Sequence, residues 1–115
     1  MSASQVHAFS AIAFQLAATI ETYEADVAAM VKAPLDADLY RHVSAHVDQM
    51  RMYAAALPPL SVAWVEVMIR HFELTHGMWR SQREPGSVQL GALQDQLLDA
   101  TRRLSTRCVQ LMPSA

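Results

Sequence analysis

Five histidines in 115 residues are the side chains of this sequence best suited to chemistry. Neutral imidazole binds zinc, iron, copper and nickel, and its charge changes near neutral pH. Four of the five, His42, His46, His71 and His76, flank Pro58-Pro59 at nearly matched distances along the chain. If the flanking segments are helices joined at that pair, His46 and His71 stand at one height and face each other, or nearly so. His42 and His76 form a second level about one turn farther from the joint. Glu21, Thr22, Tyr23 and Asp26 on a preceding helix, and Asp95 and Asp99 on a following one, fall near the same height.

One chemistry for such a band is a metal ion or a non-covalent haem, ligated by His46 and His71 with His42 and His76 within reach. Helical bundles house such sites between facing helices. Several features weigh against it. A ferritin-like di-iron site uses two Glu-x-x-His motifs and further glutamates, whereas this chain has only Glu73-Leu-Thr-His76 and no glutamate on the segment that carries His46. Cys-x-x-Cys-His, the signature of covalent haem attachment, is missing. The competing expectation is that His46 and His71 are core histidines, satisfied by each other, by Tyr53 or Tyr23, or by buried water. A neutral imidazole donates from one nitrogen and accepts at the other. His42 and His76 are then boundary residues. Two facing buried histidines also predict a bundle that weakens on acidification between roughly pH 7 and 5.

Other constellations fail on their residues. A phosphotransfer histidine is followed closely by lysine and glycine, but Val-Asp-Gln-Met follows His46 and Val-Ser-Ala-His follows His42. Three glycines leave no phosphate-binding loop. Cys108, the single cysteine, lies far along its helix from the histidines and has no base beside it in the pattern. It also excludes an internal disulfide and fits a reducing compartment. Six of the methionines, Met30, Met50, Met52, Met68, Met78 and Met112, fill core gaps or form an adaptable partner groove. No catalytic arrangement survives, and an enzyme is not expected.

The elements that position these residues read as helices. Apolar residues make up 52 % of the chain and charged ones 17 %. Four of the five prolines, Pro34, Pro58, Pro59 and Pro85, punctuate long stretches of helix formers. The expectation is a single domain: an all-α, antiparallel up-down-up-down four-helix bundle with helices over about 4–32, 36–57, 60–82 and 88–111. Val6, Phe9, Ala13, Leu16, Ile20, Tyr23, Val27 and Met30 recur at steps of three and four, the spacing of a bundle seam. Ser2 with Gln5 has the form of a capping box, and Asp36 and Ser87 are the expected caps of the second and fourth helices. Leu35 and Tyr40 occupy the positions of a hydrophobic staple. The inward row of the fourth helix is Leu90, Leu93, Leu97, Ala100, Leu104 and Leu111, with Asp99 pairing with Arg102 and Arg103 outside.

The third helix is apolar around most of its circumference. Its seam is Leu60, Trp64, Val67, His71, Leu74 and Met78, and a second row carries Val65, Met68, Ile69, Phe72 and Trp79. Glu66, Arg70, Glu73, Gly77 and Arg80 are left as a polar stripe. Either a compact bundle buries both rows, or the second row meets a partner. The economical partner is a second copy in a two-fold homodimer, with Val65, Ile69, Phe72 and Trp79 at the interface.

A net charge of −2 gives no reason to expect nucleic acid. The apolar run from Ala8 to Ile20 is too short to span a bilayer, and the start Met-Ser-Ala-Ser-Gln lacks the basic character of a secretory leader. The sequence thus points to a cytoplasmic helical interaction or regulatory module, acting as a homodimer or with a protein partner. The alternative is a metal- or haem-binding bundle.

Overall fold

The computed structural model describes residues 2–113 and contains four α-helices. They are α1 (Ala3–Lys32), α2 (Ala37–Ala55), α3 (Ser61–Arg83) and α4 (Leu90–Gln110). They form an up-down-up-down bundle of 54 × 23 × 22 Å, long in one direction because α1 alone has 30 residues. α1 packs closely on α2 and on α4, and α3 on α4; the α2–α3 side is the loosest seam.

Local chemistry sets each boundary. Ser2 opens α1 through the expected capping box: its Oγ accepts from Gln5 N at 3.2 Å, and its own N–H donates to Gln5 Oε1 at 2.9 Å. Asp36 Oδ1 caps α2 by accepting from the amides of Asp38 and Leu39 at 3.0 and 3.3 Å. Losing one such cap costs about 1 kcal/mol. Asp36→Ala is therefore expected to lower the unfolding free energy by about that amount in a urea titration, with no change in helix content at rest.

The expected staple does not form, because Leu35 stands exposed in the turn instead of folding back on Tyr40. α2 ends at Ala55, earlier than the pattern implied. Leu57 precedes a proline and is driven out of the helical region, to φ −126° and ψ 74°. Pro58–Leu60 then makes one 3₁₀ turn, with Leu57 and Leu60 fully buried on either side of it. Ser87 does not cap α4. The turn after α3 is closed by Ser87 N donating to Glu84 O at 3.1 Å, and α4 starts at Leu90 without a side-chain cap. Gly86 supplies the left-handed residue of that turn, at φ 83°.

The core follows the predicted seams. Ala13, Leu16, Ile20, Tyr23, Val27 and Met30 of α1 are all buried, while Val6 and Phe9 lie nearer the open end. Val43, Met50, Val67, Leu74, Met78, Leu97 and Leu104 face them. Gly77 moves from the expected polar stripe to the α3–α4 contact. A Cβ there would come within 2.6 Å of Leu93 Cδ1 and 3.2 Å of Val88 Cγ1, so these side chains pack directly against the Gly77 backbone. Met30, Met50 and Met78 are buried in the core, which accounts for them as gap fillers. Among the described residues no helix is long and apolar enough to cross a membrane.

Candidate functional site

α1 is the element on which the inner histidines converge. Tyr23 and Asp26 lie three residues apart on it, and therefore on one side of the helix one turn apart. The phenol oxygen of Tyr23 is 2.7 Å from His71 Nδ1, in a buried hydrogen bond that crosses the bundle from α1 to α3. His46 Nε2 lies 2.9 Å from Asp26 Oδ2 and ties α2 to α1. Each histidine thus spends its hydrogen bond on α1, and none runs between the two. The expectation that they face each other across Pro58-Pro59 is corrected to this shared engagement with α1. Tyr23, named among the possible partners of a core histidine, is the partner of His71.

Burial tunes the Tyr23–His71 pair in two directions. Desolvation holds the His71 imidazolium below the usual histidine range. It pushes the Tyr23 phenol well above its usual value, with the Glu24 carboxylate adding to the rise. Both groups are thereby held neutral at pH 7. The neutral phenol can donate to an unprotonated Nδ1 or accept from Nδ1–H, and either arrangement satisfies both groups across the bundle.

His46 presents a different arrangement. With Nε2 on Asp26, its Nδ1 is buried and has no hydrogen-bond partner among the described residues. A carboxylate–imidazole pair is the core of a general base, but such a base must reach the proton it removes. Nδ1 is closed off from solvent, so the pair fixes α2 against α1 and offers no nitrogen to a substrate.

His42 and His76 do not join a band. Both are exposed, and the His76 ring packs on Trp79 with centroids 6.0 Å apart. Among the described residues no three His, Cys, Asp or Glu side chains are grouped as ligands of a metal ion. Cys108 is buried in the core, and desolvation raises its thiol to about 11. It holds little thiolate at neutral pH and is poorly placed as a nucleophile.

The grooves between helices are built of mixed charges. One, of about 710 Å³, runs between α3 and α4 and is lined by Glu66, Asp99, Arg102, Arg103 and Arg107 around Val62 and Ala63. Asp99 makes no ion pair with Arg102 or Arg103, contrary to the spacing. Arg107 donates to Pro59 O at 3.3 Å. A second hollow of about 380 Å³, between α1 and α4, includes Tyr23, Glu24 and Thr101. The Thr101 hydroxyl lies 2.8 Å from Glu24 Oε2, which partly satisfies that carboxylate.

The outer side of α3 is different in kind. Val65, Ile69, Phe72 and Trp79, four of the second row, are all exposed; Met68 turns in against the core. Two residues outside the predicted row complete the pattern. Val62 and His76 are also exposed, so that Val62, Val65, Ile69, Phe72, His76 and Trp79 recur at alternating steps of three and four. This is the seam spacing of a helix that packs lengthwise on another. The compact bundle that would bury both rows of α3 is not what forms. The polar stripe lies beside this strip on the side toward α4, where Arg70 bonds Glu66 and Glu73 of its own helix and Gln96 of α4.

The chain matches no known protein family, no characterised protein and no solved structure with which it was compared.

Proposed function

We propose that this chain is a non-enzymatic helical interaction module that works as a homodimer, with the outer side of α3 as its docking face. The observation that carries the reading is the row of five exposed apolar side chains on one side of α3. Val62 is 83 % exposed, Phe72 60 %, Trp79 55 %, Val65 53 % and Ile69 49 %. At those fractions, residues of this size leave roughly 600 Å² open in one strip, the top of the range found on monomers and often functional. The inner histidines offer no comparable support for a metal or haem, because both are already bonded to α1.

A dimer has twice the 12.8 kDa chain mass, and light scattering at low micromolar concentration reads it directly. Phe72→Glu is expected to return the monomer mass. Its helix content and melting behaviour should stay close to those of a dilute native chain, since Phe72 contributes little to the core of one protomer. A native chain that scatters as a monomer at that concentration overturns the reading.

A further inference from the structure

We infer that the second copy docks antiparallel, α3 against α3, in one register: Val62 opposite the partner's Trp79, Val65 opposite the partner's His76, and Ile69 opposite the partner's Phe72. The inference rests on the dimer proposed above and specifies how its two halves meet.

The strip is graded in size. Its N-terminal end carries Val62 and Val65, its middle Ile69 and Phe72, and its C-terminal end His76 and Trp79. Facing helices fill the space between them when large side chains oppose small ones. Turning one copy end for end matches the grades in every layer. A parallel pair would set valine on valine at one end and Trp79 on the partner's Trp79 at the other. It would also bring Arg83, the next position in the repeat, against the partner's Arg83. In the chain itself that guanidinium sits 4.7 Å over the Trp79 ring. The antiparallel pair carries each Arg83 past the end of the opposing helix and sets the helix dipoles head to tail.

Coverage selects the register. Sliding the pair by one repeat in one direction leaves Val62 without an opposite residue; sliding it the other way leaves Trp79 uncovered. Only the register given above places all six positions in contact. It buries roughly 1,200 Å² counted over both copies, the lower edge of what a specific interface needs. Glu66 and Glu73 of both copies flank the two-fold, and in each chain Arg70 bonds both carboxylates, so neither acid stands alone there.

Disulfide trapping distinguishes the arrangements. In a Cys108→Ala background, Val65→Cys and His76→Cys chains are prepared separately and oxidised with diamide, alone and mixed. The antiparallel register sets residue 65 roughly 16 Å along the axis from its own copy, too far for a disulfide. Neither chain alone should form covalent dimer, and the mixture should. Val62→Cys with Trp79→Cys is a second pair with the same expectation, in case the first weakens the contact. Covalent dimer from either single chain means a parallel pair and overturns the inference. A native chain of dimer mass in which neither mixture is trapped overturns it as well, because the contact then lies elsewhere or in another register. In both cases the dimer itself stands. A monomer mass for the native chain removes the dimer and the inference together.

Discussion

Tyr23→Ala is expected to lower the unfolding free energy by about 3–5 kcal/mol, the usual cost of emptying an aromatic site in a packed core. Tyr23 is fully buried in the C-terminal half of α1. Its ring packs within the bundle, while its hydroxyl reaches across to His71 at 2.7 Å. Tyr23→Phe separates the two contributions. It keeps the ring, removes the hydroxyl and leaves Nδ1 of a buried imidazole without a partner, a loss of about 1–3 kcal/mol. Domains have about 5–15 kcal/mol of stability in all, so the alanine variant should lose a large share of it. Tyr53→Phe is the control. That hydroxyl bonds Gln15 Oε1 at 3.4 Å in an exposed position, and its removal should be nearly neutral. Urea titrations followed by circular dichroism, at one fixed protein concentration so that association does not vary, measure all three. A Tyr23→Phe curve that overlays the native one would mean that the cross-bundle bond adds nothing to the fold.

How far the sequence revealed this fold depends on which signal each segment carried. The long repeat of threes and fours in α1 was legible because burial on one side of a helix leaves no other spacing. The turns were legible as positions, since proline and glycine restrict the backbone directly. The caps were less so. Ser2 and Asp36 cap as their types imply, but Ser87 is drawn into the turn with Glu84, which competes for the same short segment. Leu35 shows the same limit: a staple pattern is a local preference, and the turn at Leu35 leaves the side chain in solvent.

The candidate sites were legible by height and not by direction. Counting outward from Pro58-Pro59 placed His46 and His71 at the level of Tyr23 and Asp26. Which neighbour each ring would meet depends on how four helices close around one another. α1 supplies the partners because it packs on α2 and lies across the core from α3, while the α2–α3 seam stays loose. On α3 the apolar excess was visible, but the second row was drawn through Met68, which turns inward, and left out the exposed Val62 and His76. A period of 3.5 fitted to the residues of the second row would have collected both. Gly77 was read as polar by its neighbours in the helix, whereas it is buried against Leu93 and Val88.

Acid is expected to weaken the bundle through His71, and base through Tyr23. The folded state holds His71 below the usual histidine range, so on descending from about pH 6.5 the unfolded chain takes up a proton that the folded chain refuses. Stability is full above that pH and falls below it, down to the lower folded value, with a slope of at most about 1.4 kcal/mol per pH unit. At the other end, the folded state raises the Tyr23 phenol, so above about pH 10 the unfolded chain loses a proton that the folded chain keeps, and stability falls again. The half-buried Tyr40, raised by desolvation, adds in the same direction. Each loss comes from charging one partner of the same buried contact, in surroundings that disfavour charge. The His46–Asp26 contact, 2.9 Å long, lies on the same side of α1. The native curve must therefore be compared with that of His71→Gln, in which the second contact is untouched. Unfolding free energies between pH 7.5 and 5.5 should converge as the pH falls, because the glutamine variant, weaker at neutral pH, lacks the titrating group. Parallel curves would place the acid sensitivity outside the Tyr23–His71 bond.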